Sequence, residues 1–453
     1  MPPICSHDHL RLDVSSHAAE AGFARPPLAK RKAAATPSGR VVRAADKSHS
    51  ETLFPGPLVL PDDSLTIDPT EPPQSLRSWI VEKHRNPITQ RRKTIYVSPP
   101  PQVASELCLT LHKWIVPSVL PGPLKGGCDA PKGKQIVEYL AAFYHPLPVK
   151  LLPDKVSFVP WTEGKSKQPS KSSQPEYVGL QVGTGVTRIT TRPCPDDVYP
   201  RQLNLTDILD AAIESLPSDA YALVMLTDHD LYEDDEDVFC CGRAYGGSRV
   251  AVASSARYHP LLDDGEEIDR EHMWPFSHCE AYVQGAYQDA AAAETAGSAS
   301  KKRKLAPPDA AATTGAGRQP MAEVIQAGLL APPPTASLTG LWLARMARTV
   351  SHEVGHCFCL AHCPYYACVM QSSAGIHEDL RQPPYLCLVC LAKLTRGVSD
   401  IERGVNGVQL MIGRYTALAR FCEKWKRVAM FAAYRCWLET RIGALKATLP
   451  VAE

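Results

Sequence analysis

Three histidines, one glutamate and three cysteines fall within thirteen residues, Ser351–Cys363, in the run SHEVGHCFCLAHC. His352 and His356 are four positions apart. On a helix that is about 400° of rotation, so both rings leave the same face, one turn apart. Two imidazoles so placed can share one Zn2+. Glu353 points about 100° away from His352, close enough to reach a water on the metal without ligating the metal itself. His362 lies six residues beyond His356. On a continuing helix it would fall roughly 240° round, on the wrong side, so it can join the pair only if the chain turns sharply first. Three histidines and a water make the open arrangement of a catalytic zinc rather than the closed one of a structural zinc.

These side chains need a helix beneath them, and the preceding SLTGLWLARMARTV supplies an apolar stripe through Leu341, Met346 and Val350. Further upstream, extended TIYVS is followed by a helical pattern over Ser105–Leu120 and a second over Ile136–His145, then a short strand over Pro148–Pro153. VGLQVGTGVTRITT reads as strands. Leu203–Leu216 reads as an amphipathic helix that Asn204 or Thr206 could cap. The continuous apolar run Ala220–Thr227 has the look of a strand buried on both faces, and Ser248–Tyr258 of another strand. This β-α-β order predicts an α/β layered domain. The chain after Val408 reads as one or two helices.

Composition bounds the rest. Net charge is +1, so no global field favours nucleic acid or an anionic membrane. The 15 cysteines, an odd number spread over 453 residues, fit a disulfide scaffold poorly. The start has no apolar stretch of signal-peptide type, and no run is long and apolar enough for a spanning helix. The expectation is an intracellular, cytoplasmic chain whose thiols are free to bind metal. Lys301–Lys304 (KKRK) is either a nuclear import signal or a solvated charge run. Residues 1–94, rich in Ala, Pro, Ser and basic side chains without periodicity, are expected to be mostly disordered. Residues 95–453 would then form one catalytic domain, with low-complexity insertions near 161–176 and 286–336. Cys240, Cys241 and Cys279 read as core or surface thiols. His229, His259, His272 and His278 read as structural or exposed, since none has ligand spacing.

HEVGHCFCLAHCPYYACVM followed by CLVC resembles the archaemetzincins, a branch of the metzincin zinc peptidases. Weaker similarity runs through FYHPLPVKLLP, LTDHDLY, ARYHP and RYTALARF, over roughly residues 136–425. The resemblance implies a metzincin-like zincin domain: a mixed twisted sheet, an active-site helix, a Met-turn and C-terminal helices. It places His352, His356 and His362 on a catalytic zinc, Glu353 as the catalytic residue and Met370 in the Met-turn beneath the metal. Cys363, Cys368, Cys387 and Cys390 match the family's four cysteines. Four thiolates in two close pairs also make the usual inventory of a closed structural zinc site. The other readings are four buried thiols acting as small hydrophobes, or a C-x-x-C redox pair. Two zinc ions per chain are expected.

One position departs from the pattern. Cys359 stands where the family has glycine, in a turn that suits a left-handed residue. A side chain there costs roughly 1–2 kcal/mol if that conformation is kept, and Cys359 or Cys357 could compete as a soft ligand. The function expected is zinc-dependent hydrolysis of peptide bonds by a metal-activated water, with Glu353 as general base. The substrate would be a peptide or protein, met by a monomer that needs neither nucleic acid nor membrane. The alternative is an inactive, zinc-stabilised interaction protein. A zinc-ribbon nucleic-acid binder fits poorly, because few basic residues flank the cysteines. Tyr365, Tyr366 and His377 are candidates for a second donor to the oxyanion.

Overall fold

All eight residues of the apolar run Ala220–Thr227 are buried, as the middle strand of a five-stranded sheet. In the computed structural model, which describes residues 5, 7–14, 16–41, 51–119, 128–161, 174–297, 313–315, 320–333, 336–402 and 404–449, this sheet consists of β1 (Thr94–Ser98), β2 (Val149–Leu151), β3 (Ala220–Thr227), β4 (Gly242–Tyr245) and β5 (Val250–Ser254). Their spatial order is β4-β5-β3-β1-β2. All pairs are parallel except β4 with β5, which leaves β4 as an antiparallel edge strand.

Successive side chains on a strand point to opposite faces, so β3 serves two cores. Val224 and Leu226 pack with Ala251 and Ala253 against helices α1 (Gly133–Phe143) and α2 (Leu338–Cys357). Leu223 and Met225 face the other way, towards the helix Leu205–Glu214 and a second, six-stranded sheet. That sheet runs in the order Asp230–Tyr232, Arg201–Asn204, Gly185–Pro193, Tyr177–Val182, Val156–Pro160 and Gln102–Val103. Asn204 caps its helix by accepting from the Asp207 amide at 3.0 Å. The architecture is α/β with mixed sheets. Among the described residues, the short helix Ile376–Arg381 and three longer helices follow the metal-seeking segment: α3 (Leu388–Ser399), α4 (Gly407–Lys424) and α5 (Ala429–Lys446). The helix expected over Ser105–Leu120 is confined to Cys108–Trp114.

Helix α2 is more than amphipathic. Besides Leu341, Met346 and Val350 it buries Arg345 and Arg348. A buried cation needs a partner. Arg345 makes a two-pronged pair with Asp263 at 2.7 and 2.6 Å, and Arg348 pairs with Asp379.

Two expectations are corrected. The N-terminal segment through residue 94, read as mostly disordered, is anchored in the core at several of its described residues. Leu53, Phe54, Leu76 and Trp79 join the same core as α1 and α2. The Trp79 indole N–H donates to the Phe358 carbonyl at 2.9 Å, and the Trp437 indole to that of Leu53 at 3.0 Å. The segment folds as short helices, Ser16–Glu20, Leu28–Ala34, Ser64–Ile67 and Leu76–Val81, each only one or two turns long and too short to leave a periodicity to detect. The insertion read at 286–336 also contains the helix Pro320–Leu329, whose Met321, Val324 and Ile325 are buried. Its spacing is helical, but it is short and lies amid Ala- and Pro-rich chain. Residues 162–173 and Lys301–Lys304 lie outside the described residues.

Candidate metal and catalytic site

Helix α2 ends at Cys357, and the chain turns there. Phe358 is the C-cap, and Cys359 adopts φ +59°. Its amide donates to the His356 carbonyl at 2.8 Å, and the Leu360 amide reaches the Gly355 carbonyl at 3.2 Å. The left-handed position is therefore kept despite the side chain. The Gln74 side chain holds the turn by donating to the Cys359 carbonyl at 3.0 Å and accepting from the Ala361 amide at 3.1 Å. This reversal carries His362 back to the other two histidines.

The ring centroids of His352, His356 and His362 lie 4.7, 5.0 and 5.5 Å apart, and one ring nitrogen from each falls within 4.8 Å of the others. Nε2 of His352 is 2.9 Å from Nε2 of His356. Every Nδ1 is engaged elsewhere. His352 Nδ1 contacts the Val369 carbonyl at 2.6 Å, His356 Nδ1 the Leu360 carbonyl at 2.8 Å, and His362 Nδ1 the Glu71 carboxylate at 2.9 Å. Such acceptors require N–H at Nδ1, which leaves the lone pair on Nε2. Burial and the neighbouring imidazoles pull His352 well below the usual histidine range and His356 to about 4, so both rings are neutral ligands. This donor set fits a zinc ion. Neither Cys357 nor Cys359 enters the group.

Glu353 lies on the sheet side of α2, where its Cγ and Oε1 would be 3.1 and 3.3 Å from a Cβ on Gly242 of β4. Burial pushes its carboxyl up to about 8. Met370 is fully buried beneath the helix, and a Cβ on Gly355 would stand 2.5 Å from its sulfur. A cleft of about 1290 Å³ opens over these groups. It is lined by the three histidines, Glu353, the edge strand β4 and His377, among others. Tyr258 also lines it, while the sequence candidates Tyr365 and Tyr366 are buried outside it.

Directly after His362, Cys363, Cys368, Cys387 and Cys390 bring four sulfurs within 4.8 Å of one another, all buried. Cys387 occupies the N-cap position of α3 without a side-chain cap hydrogen bond, and Cys390 lies in the first turn. The amides of Met370 and Cys387 point at the Cys368 sulfur, at 3.5 and 3.2 Å. Hydrogen bonds from the other thiols hold Cys363 well below the usual thiol range, while burial pushes Cys368 and Cys387 well above it. Four buried thiols cannot all ionise without a cation, and a divalent ion is the natural complement. Helix α3 has no βαβ redox frame around it.

Sequence reasoning missed Glu71 and Gln74. Both belong to the segment expected to be disordered, and nothing local marks a carboxylate that orients a histidine 291 residues away. Cys240 and Cys241 line the cleft. His229, His259 and His278 are buried, and burial takes each to about 4, as structural histidines.

The model of peptidase family M54 matches residues 334–396, which hold both groups of ligands. Human archaemetzincin-2 is 24% identical over 366 residues, covering 80% of this chain and 76% of that protein. The archaemetzincin of Methanopyrus kandleri is 39% identical over 64 residues, 14% of this chain and 35% of that one. The crystal structure of that archaeal protein covers 69% of this chain and 98% of its own, at 16% identity and a TM-score of 0.31, too low to carry an argument about the fold. The helix, the turn and the ligand groups are the matched part; over them the chain is similar to the archaemetzincins, and it is a zinc metallopeptidase.

Proposed function

We propose that the cleft hydrolyses peptide bonds with Glu353 as general base, on a zinc held by His352, His356 and His362, and that Cys363, Cys368, Cys387 and Cys390 hold a second, structural zinc. The observation that carries this is the convergence of three Nε2 atoms whose Nδ1 partners are all fixed, with a buried carboxylate on the next residue. Zinc in the three-histidine site supplies Lewis acidity, which acidifies a water and polarises the scissile carbonyl. The protein's own groups do the rest. Strand β4 is at the sheet edge and lines the cleft, so its unpaired backbone groups can receive an extended peptide as an added strand. Glu353 takes the proton of the attacking water and delivers it to the leaving amine nitrogen. Its raised proton affinity, set by burial, suits a group that must hold that proton between the two steps.

The reading of an inactive zinc-stabilised binder depended on Cys359 displacing His362, and the turn keeps its left-handed form. Both ligand groups come from one chain, so the proposal includes a monomer that needs no nucleic acid. Among the described residues no helix is long and apolar enough to cross a membrane. Reduced thiols favour an intracellular setting.

Glu353→Gln tests the mechanism. It should retain the zinc content of the wild type, because Glu353 is not one of the converging ligands. Turnover of a peptide drawn from a broad library should fall about 10²–10⁴-fold. Loss of zinc together with activity would make Glu353 a ligand. Activity that persists with zinc intact would assign the base to another group.

A further inference from the structure

We propose a third metal site, made by Cys5, His7, His272 and Cys279, that clamps the beginning of the chain to the body of the molecule. One ligand atom from each of these four residues lies within 4.8 Å of the others. None of the four lines the catalytic cleft.

The backbone brings the two halves together. The strand His9–Arg11 runs beside Cys279 through a bridge at Leu10, and Arg11 makes a two-pronged pair with Glu280 at 2.8 and 2.6 Å. The Cys5 amide donates to Glu271 at 2.6 Å. His7 takes a left-handed backbone, φ +52°, which is uncommon for a residue with a side chain. Its ring stacks on Phe276 at 4.9 Å and meets His272 edge-on at 5.3 Å. His272 stacks in turn on Tyr282 at 4.3 Å.

The polar atoms are arranged as metal ligands are. His7 is only 7% exposed, yet its Nδ1 is buried without a hydrogen-bond partner. Nε2 of His272 has only the Cys5 thiol beside it. A buried nitrogen without a partner, such as His7 Nδ1, is costly unless something binds it. Nδ1 of His272 contacts the Asp269 carboxylate at 2.6 Å, and Asp269 is held by the amides of Glu271 and His272. A carboxylate on the far nitrogen of a histidine is the usual support of a metal ligand. The sulfurs of Cys5 and Cys279, 274 residues apart in the chain, approach to 3.1 Å with both thiols free. Two thiolates and two imidazoles suit zinc, or another borderline-soft divalent ion, in a closed tetrahedral site; magnesium and calcium prefer oxygen. The spacing C-x-H in one half and H-x₆-C in the other gave no signal, because neither half is a site alone.

The test compares proteins purified with reductant present and loaded with zinc. Elemental analysis of wild type and of Cys5→Ser/His7→Gln should differ by one zinc per chain. That difference does not depend on how many other sites are filled. Because the double variant could unfold the N-terminal strand, a second measurement uses the wild type alone. Cys5 should resist iodoacetamide in the zinc-loaded protein and react at least 10-fold faster after chelation, as read by peptide mass. Equal zinc content in wild type and variant, equal reactivity of Cys5 with and without zinc, or a Cys5–Cys279 disulfide persisting in the reductant would each overturn the proposal.

Discussion

Glu71 shows how much of a metal site can sit outside its motif. Of the three converging histidines, His362 is the one whose Nδ1 relies on a side chain; the other two use backbone carbonyls. Ser372 also donates to Glu71, at 3.0 Å, so the carboxylate is held from both ends. Glu71→Ala should weaken zinc binding at the three-histidine site about 10–100-fold, the usual cost of removing such a support, while the four-cysteine site keeps its ion. Glu71→Gln keeps an acceptor and should recover part of the loss. Zinc retention against a graded chelator measures both; unchanged retention in Glu71→Ala would show that His362 is oriented by the turn alone. The three histidines and the four cysteines, which the structure gathers into two groups, could be picked out as candidates because each group is compact in sequence, whereas Met370 came from the resemblance. Glu71 and Gln74 were not, since a partner brought in by tertiary packing has no fixed offset from the residue it serves.

At the scale of the element, the turn after α2 and the chain through Met370 form one packed unit. Gly355 sits between the two helical histidines. Glycine in a helix interior costs about 1 kcal/mol relative to alanine, so Gly355→Ala would ordinarily stabilise α2. Here a Cβ would stand 2.5 Å from the Met370 sulfur and 3.1 Å from its methyl carbon. Overpacking costs about 1–3 kcal/mol and outweighs the gain in propensity. Gly355→Ala should therefore lower the melting temperature and speed zinc loss, whereas a rise in both stability and retention would mean that Met370 has room to move. The cysteine group makes a further contrast. Cys387 is one of the four clustered thiols and also stands at the N-cap position of α3. A closed site contributes folding free energy directly. Cys387→Ser should lower the melting temperature more than His352→Ala does; the reverse order would exchange the roles assigned to the two sites. Element types were largely legible, most clearly β3 and the helix pairs, because apolar periodicity is local. The pairing order of the strands was not, since parallel neighbours are set by packing between distant segments.

For the molecule as a whole, the N-terminal segment decides whether residues 95–453 are a domain in their own right. Its composition suggests an appendage, yet its anchors lie in the main core. Leu53, Phe54, Leu76 and Trp79 are each at most 3% exposed. Phe54 meets Tyr366, Tyr385 and Trp437 edge-on, so it is walled in by side chains from both ends of the region that holds the cysteine group. Burying one such side chain contributes about 1.5–3 kcal/mol. Four together supply about 6–12 kcal/mol, comparable with the roughly 5–15 kcal/mol by which a native protein is stable at all. The deletion would also uncover the apolar surface they pack on, and it removes Glu71 and Gln74 from the turn before His362. A chain that begins at residue 95 should therefore show no cooperative thermal transition and no peptide hydrolysis, even with zinc in excess. Trp79→Ala is the milder version. It should cost about 3–5 kcal/mol and, through the lost hydrogen bond to Phe358, loosen the end of α2 first. Calorimetry on both variants, with zinc content measured on the same samples, separates the possibilities. If the shortened chain melts cooperatively near the wild-type temperature and retains its zinc, the segment is an appendage and its packing contributes little. If Trp79→Ala alone releases zinc from the histidines while the cysteine group stays loaded, the segment acts on the catalytic centre through the turn at Cys359.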